Sequence, residues 1–209
     1  MLIGKNPLNE APEWFVKNIT NRPEECSVLI NGSNIKYYIW GDKSKKPLLL
    51  LHGYNAHSFW WDHIAPSLTN DHCVVALDFS GMGESDRREE YSQEIFVDDV
   101  KGVMNDLSWN SCTCIAHSMG GSIATLATFI YPKIFDHLIL LDSMIVIPPN
   151  VAERMASNRP SARMVVASPD LETAMARFRL TPSQPCKDYV LRHIAETSYV
   201  EESDGWYLK

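Results

Sequence analysis

The chain has 209 residues, 45% of them hydrophobic and 10% aromatic, enough to bury one sizeable core. Its formal charge is −7 and neither Lys nor Arg gathers into a long run, which argues against a polyanion-binding surface and so against nucleic acid as a partner. No stretch reaches the roughly eighteen apolar residues of a membrane span, and the first residues lack the cationic head and apolar run of a signal peptide, so the expectation is a cytoplasmic protein without a membrane span.

Residues 1–26 are polar and rich in Pro and Asn, with one apolar patch at Trp14, Phe15 and Val16, and read as an N-terminal surface extension. Ser27 to Ile30 and Ile35 to Trp40 flank Asn31-Gly32, a strong short-range hairpin signal. Leu48 to Leu51 and Cys73 to Leu77 are uninterrupted apolar runs, as parallel strands buried on both faces require. Between them Ser58 to Leu68 is expected to be helical, with Pro66 shortening or bending its last turn. Ile95, Phe96, Val100, Val103, Met104 and Leu107 form the stripe of an amphipathic helix.

The alternation continues with Cys112 to Ala116 as strand, Ser118 to Tyr131 as helix and Leu138 to Leu141 as strand, a repeated βα rhythm that implies an α/β fold with a mostly parallel sheet. From Pro148 to about Ser198 the chain is polar and punctuated by Pro, with helical stretches expected around Val151 to Met155, Leu171 to Phe178 and Asp188 to Ala195. Cys26, Cys73, Cys112, Cys114 and Cys186 form an odd set without metal-type spacing, so buried free thiols are expected, with no metal and no other cofactor.

Ala116-His117-Ser118-Met119-Gly120-Gly121 falls between a strand and a helix, the setting of a nucleophile elbow. A tight turn there lifts the serine hydroxyl above the sheet, and small residues are needed two positions before and after it, here Ala116 and Gly120. The Met119 N–H, at the start of the helix, is placed to donate to a developing oxyanion. His52-Gly53-Tyr54 follows an apolar strand and offers the Tyr54 N–H as a second donor, with His52 organising that loop. Gly81-Met82-Gly83 lacks the third glycine of a dinucleotide fingerprint and any following Gly-Lys-Ser/Thr, so it reads as a structural turn and not a phosphate loop.

His-Gly after the third strand, Asp78-Phe79-Ser80-Gly81-Met82-Gly83-Glu84-Ser85-Asp86 after the fourth and His-Ser-Met-Gly-Gly after the fifth occur in order. On these motifs the chain resembles the α/β-hydrolase fold family, closely over about 27–145 and loosely beyond. The resemblance implies an α/β-hydrolase core at 27–147, with helices on both faces of the sheet, and an inserted helical cap or lid at 148–209. It also separates chemistries: haloalkane dehalogenases and epoxide hydrolases of this fold carry an aspartate at the elbow and form an alkyl-enzyme ester. Ser118 instead implies an acyl-serine intermediate.

In such hydrolases the order along the chain is Ser, acid, His, and only His137 and His193 follow Ser118. His137 begins a strand, roughly 17 Å from the carboxyl edge where catalytic groups gather. His193 lies on a helix-like stretch beside Leu191 and Ile194 and reads as a partly exposed cap histidine or, less simply, a site residue. His117 is expected to pack away from the nucleophile, and His57, His63 and His72 to serve surface or loop roles. Asp142 ends the sixth strand at the correct edge and is either the triad acid or a cap for the following segment. The simplest account of the missing histidine is a chain that stops before the last strands of the core, leaving an open apolar edge, near-background turnover and a tendency to self-associate.

Tyr54, Phe59, Trp60 and Trp61 cluster after the oxyanion loop, where Phe59, Trp60 and Trp61 either line a pocket for an apolar acyl group or pack the following helix. The expected partner is a small acyl substrate, a carboxylic ester first. Carbon–carbon bond hydrolysis or acyl transfer are alternatives within the same chemistry, and a non-catalytic small-molecule-binding member is the alternative of another class.

Overall fold

The computed structural model describes residues 7–144 and 167–209. A six-stranded sheet holds the strands β1 (Glu24–Ile30), β2 (Ser33–Trp40), β3 (Lys46–Leu51), β4 (His72–Leu77), β5 (Cys112–His117) and β6 (Phe135–Leu141), in the order β1-β2-β4-β3-β5-β6. β1, β2 and β4 pair antiparallel, while β4, β3, β5 and β6 run parallel. The β1–β2 hairpin turns at Asn31 (φ 49°) and Gly32 (φ 83°), two consecutive positive φ values of the kind an Asn-Gly pair supplies cheaply.

Strand alternation divides the core in two. Leu49, Leu51, Val75, Leu77, Cys112, Cys114 and Ala116 face the helices α2 (Gln93–Asp106) and α3 (Met119–Ile130). Leu48, Leu50, Val74 and Ala76 face the opposite way, onto Trp61 and Ala65, with Tyr38 and Trp40 beside them. Both faces are covered, which is why these strands read as unbroken apolar runs. β6 is an edge: Ile139 and Leu141 remain exposed, on the face away from the one through which Leu138 and Leu140 pack on the core.

Sheet topology also fixes where a site forms. β3 lies between β4 and β5, so the chain leaves β3 toward one side of the sheet and later returns on the other. The crevice outside the carboxyl ends of β3 and β5 is the switch point at which open α/β sheets bind ligands. His52-Gly53 leaves one of these ends and Ser118 the other.

Three expectations need correction. The segment expected as one helix over Ser58 to Leu68 forms two short 3-10 turns, Ser58–Trp60 and Ala65–Leu68, the second with Pro66 in its first turn, where its missing N–H is harmless. The presumed surface extension contains a helix, α1 (Glu13–Thr20), and its Phe15 is wholly buried. Phe15 lies against the rings of Trp14, His63, Tyr189 and His193, and Asn18 donates to the His63 carbonyl and to Ser67 Oγ. Finally, the five cysteines are free, but Cys26 and Cys186 are only half-buried.

The C-terminal portion forms the helices α4 (Leu171–Arg177) and α5 (Asp188–Thr197) and a hairpin of β7 (Tyr199–Glu202) and β8 (Gly205–Leu208). The helix expected at Val151 to Met155 lies outside the described residues. Met175, Phe178, Ile194 and Ala195 make a small third core against which Trp60 packs. Among the described residues no helix is long and apolar enough to cross a membrane.

Candidate active site

The turn from β5 into α3 puts Ser118 at φ 50° and ψ −116°, a conformation that L side chains rarely adopt. Holding such a residue costs on the order of 1–3 kcal/mol, which the surrounding packing must offset. The clamps are visible: Ser118 N–H donates to the Leu141 carbonyl at 3.0 Å, and Gly121 N–H returns to the Ser118 carbonyl at 3.0 Å. Met119 is the first residue of α3, so no helical carbonyl can take its N–H.

Glycines decide how closely the segments approach. A Cβ on Gly120 would stand 2.6 Å from the His52 carbonyl oxygen and 2.9 Å from that of Leu51, so α3 lies on the backbone of β3. Ala116, fully buried, pairs with Leu51 on one side and Leu140 on the other. A Cβ on Gly53 would stand 2.9 Å from His117 Nδ1 and 3.2 Å from Ser118 Cβ, so the loop after β3 runs directly over the serine. Gly120→Ala is therefore expected to destabilise despite a helix-propensity gain of about 1 kcal/mol, because overpacking against backbone costs about 1–3 kcal/mol. Gly102→Ala, whose nearest neighbour is the movable tip of Ile30, should cost less. Equal urea midpoints for the two variants would contradict this ordering.

His52 is buried between Gly53 and Phe79. Its Nε2 accepts from the Phe79 N–H at 3.1 Å, so the ring proton sits on Nδ1, which donates to the Gly53 carbonyl at 2.8 Å. Burial pushes its pKa down to about 4, with the nearby His117 acting in the same direction. The neutral ring is thus both the bonded and the stable form.

Asp142 follows β6 at φ 48° and is exposed, one residue past the Leu141 carbonyl that accepts from Ser118 N–H. Tyr54 is 64% exposed. Phe59 meets Tyr38 edge-on with centroids 4.7 Å apart, Trp61 is buried against one face of the sheet, and Trp60 packs on the C-terminal core. Of the three aromatics expected near a pocket, all have packing partners.

The histidines depart most from expectation. His193, read as a partly exposed cap residue, is buried, with Nε2 at 2.8 and 2.9 Å from the two carboxylate oxygens of Asp62. His57, expected in a surface or loop role, is buried too; its Nε2 lies 2.9 Å from Ser198 Oγ. Because Ser198 donates its own proton to the Ile194 carbonyl, His57 is the donor in that pair. Ser198–His57 is consequently an anchor for the end of α5 and not an activated hydroxyl. His137 is exposed on β6 opposite Thr113. Among the described residues, which include all seven histidines, no imidazole is bonded to Ser118 or Asp142.

A sequence model of the alpha/beta hydrolase fold matches residues 46–198, from β3 to the end of α5. The chain belongs to the alpha/beta hydrolase fold family. A serine hydrolase-like protein of Mus musculus is 36% identical over 124 residues, covering 57% of this chain and 39% of the relative. Epoxide hydrolase 4 of Mus musculus is 34% identical over 122 residues, covering 56% and 34%. The chain thus spans under two fifths of the length of these alpha/beta hydrolase relatives. Among solved structures, a thioesterase domain from the curacin biosynthetic pathway superposes with a TM-score of 0.74 at 25% identity, covering 90% of this chain and 69% of that domain. E-2-(acetamidomethylene)succinate hydrolase superposes at 0.75 with 20% identity, covering 90% and 68%, a likeness of fold alone.

Proposed function

We propose that this alpha/beta hydrolase chain carries the nucleophile of a serine hydrolase acting on acyl substrates, carboxylic esters first. The observation that carries the reading is Ser118 at φ 50° between a parallel strand and a helix, with the backbone of Gly53 laid against it. Ser118 Oγ adds to the acyl carbon as its proton passes to a base, and the carbonyl oxygen becomes an oxyanion that accepts from the Met119 and Tyr54 N–H groups. Collapse of that adduct expels the leaving group with a proton. Water then cleaves the acyl-serine ester and restores the hydroxyl.

The relatives include proteins named epoxide hydrolases, but a serine rather than an aspartate at position 118 favours acyl over alkyl-enzyme chemistry. Asp142, at the same sheet edge, is the candidate acid. With no histidine of the described residues on Ser118, hydrolysis of p-nitrophenyl acetate by the 209-residue chain is expected near background, since a lost triad member leaves residual binding and oxyanion effects.

A fluorophosphonate probe tests the reading, because it phosphonylates a serine set beside oxyanion donors. Slow labelling that maps to Ser118 by peptide mass spectrometry, and vanishes in Ser118→Ala, is expected. An inert Ser118, with saturable binding of apolar esters that survives Ser118→Ala, would replace this reading by that of a non-catalytic binding protein.

A further inference from the structure

Two consecutive residues at the tip of β4 hold both ends of the loop that runs over Ser118. At one end the Phe79 N–H donates to His52 Nε2, whose Nδ1–H holds the Gly53 carbonyl. At the other the buried Asp78 carboxylate accepts the Ser58 N–H on Oδ1 at 2.7 Å. Between these anchors the loop bows outward: Asn55 takes φ 55°, Ala56 N–H closes back on the Gly53 carbonyl at 3.2 Å, and Tyr54 is exposed.

Asp78 is built into its place from the other side as well. Its Oδ2 accepts the Glu84 N–H at 2.9 Å, and Gly83, at φ 60°, presses so closely that a Cβ there would stand 2.2 Å from the carboxylate. Ser85 Oγ donates to the Asp78 carbonyl at 2.6 Å. Desolvation of a fully buried carboxylate is costly, and burial raises its pKa despite these two N–H donors. A hydrophobic residue could fill the same volume without that cost; what it could not do is hold two chain segments by their amides at once.

We propose that Asp78 is a positioning residue: by fixing Ser58 N–H it sets the curvature of the 53–57 loop, and with it the place of the Tyr54 N–H above Ser118. The proposal rests on the acyl-serine reading for its chemical consequence. Asp78 touches no reacting atom. It acts through the loop, where a displacement of about 1 Å is worth on the order of 10²-fold in rate.

Two variants separate this role from general stability. Asp78→Asn keeps the volume but turns an NH2 group toward one of the two amides. Ser58→Pro leaves the carboxylate intact and deletes the anchoring N–H together with the Ser58 hydroxyl, whose separate contribution Ser58→Ala reports; Ser58 opens a 3-10 turn and His57 before it is extended (φ −153°, ψ 174°), the setting in which proline is tolerated. In Asp78→Asn and Ser58→Pro, amide hydrogen exchange of 53–57 is expected to speed up under native conditions, and fluorophosphonate labelling of Ser118 to slow by at least about tenfold, part of the roughly 10²–10³-fold that outright loss of an oxyanion donor costs. Unchanged exchange in the two variants overturns the proposal. So does unchanged labelling alongside a lowered melting temperature, the signature of a merely structural carboxylate. If the parent chain is not labelled at all, the acyl-serine reading fails separately, and loop exchange still decides whether Asp78 sets the loop.

Discussion

Phe15→Ala is expected to lower unfolding free energy by about 3–5 kcal/mol, the range for truncating a fully buried aromatic residue. A surface extension, as residues 1–26 read in the sequence, would lose no more than about 0.5 kcal/mol. The larger figure follows from where the ring sits: wholly buried, T-shaped to Tyr189 and His193 of α5 and tilted on His63. α1 therefore bridges the segment after the candidate oxyanion loop and α5. Urea denaturation should show a lower midpoint, with exchange of 188–197 accelerating ahead of the sheet. A midpoint within experimental error of the parent's would return α1 to the status of a surface appendage.

Acid should destabilise the protein well above the range in which carboxylates titrate. Burial holds His52 at about 4 and His57 well below its ordinary 6.5, and His63 is lowered for the same reason. The Lys209 ammonium further opposes protonation of His57. Below pH 6.5 the unfolded chain takes up protons that the folded rings refuse, so stability is full above that value and falls as pH drops toward the folded pKa. For His52 alone, a fall from 6.5 to about 4 corresponds to about 3 kcal/mol.

Asp78 and Asp99 act in the opposite sense. Burial raises both above 3.8, so their cost to the fold is relieved as pH falls through the raised values. The histidines lead from the neutral side, and urea midpoints should decline between pH 6.5 and 4.5. His57→Gln, whose amide nitrogen reaches the place of His57 Nε2 and keeps a donor for Ser198, should flatten that slope. A midpoint that holds or rises over the interval would show that these rings are solvated.

Much of the core was legible because its signals are local. Leu48 to Leu51 and Cys73 to Leu77 read as doubly buried strands and are so; Asn31-Gly32 turns the hairpin; of the stripe from Ile95 to Leu107, Phe96, Val100, Val103 and Met104 are buried in α2 and Leu107 packs at its cap, while Ile95 is half-exposed. Leu171 to Phe178 and Asp188 to Ala195 were legible as helices from their composition, and each appears within a residue or two of its expected ends. Asp170, whose carboxylate caps α4 at the Thr173 N–H, is a signal of the same local kind.

What the sequence by itself determined about this protein is the order of strands and helices from β1 to β6, apart from the segment between β3 and β4, and the small–His–Ser–Met–Gly turn, because apolar periodicity, glycine and turn chemistry act over a few residues. Only the tertiary structure decided which side chains meet across the chain: His193 with Asp62 over 131 residues, His57 with Ser198 over 141, Phe15 with Tyr189. Such pairs leave no periodic trace, since a buried polar residue is specified by a partner that chain topology brings to it. The same limit hid the role of Asp78, which resembles any motif aspartate until β4 is set beside β3 and its carboxylate reaches the Ser58 amide.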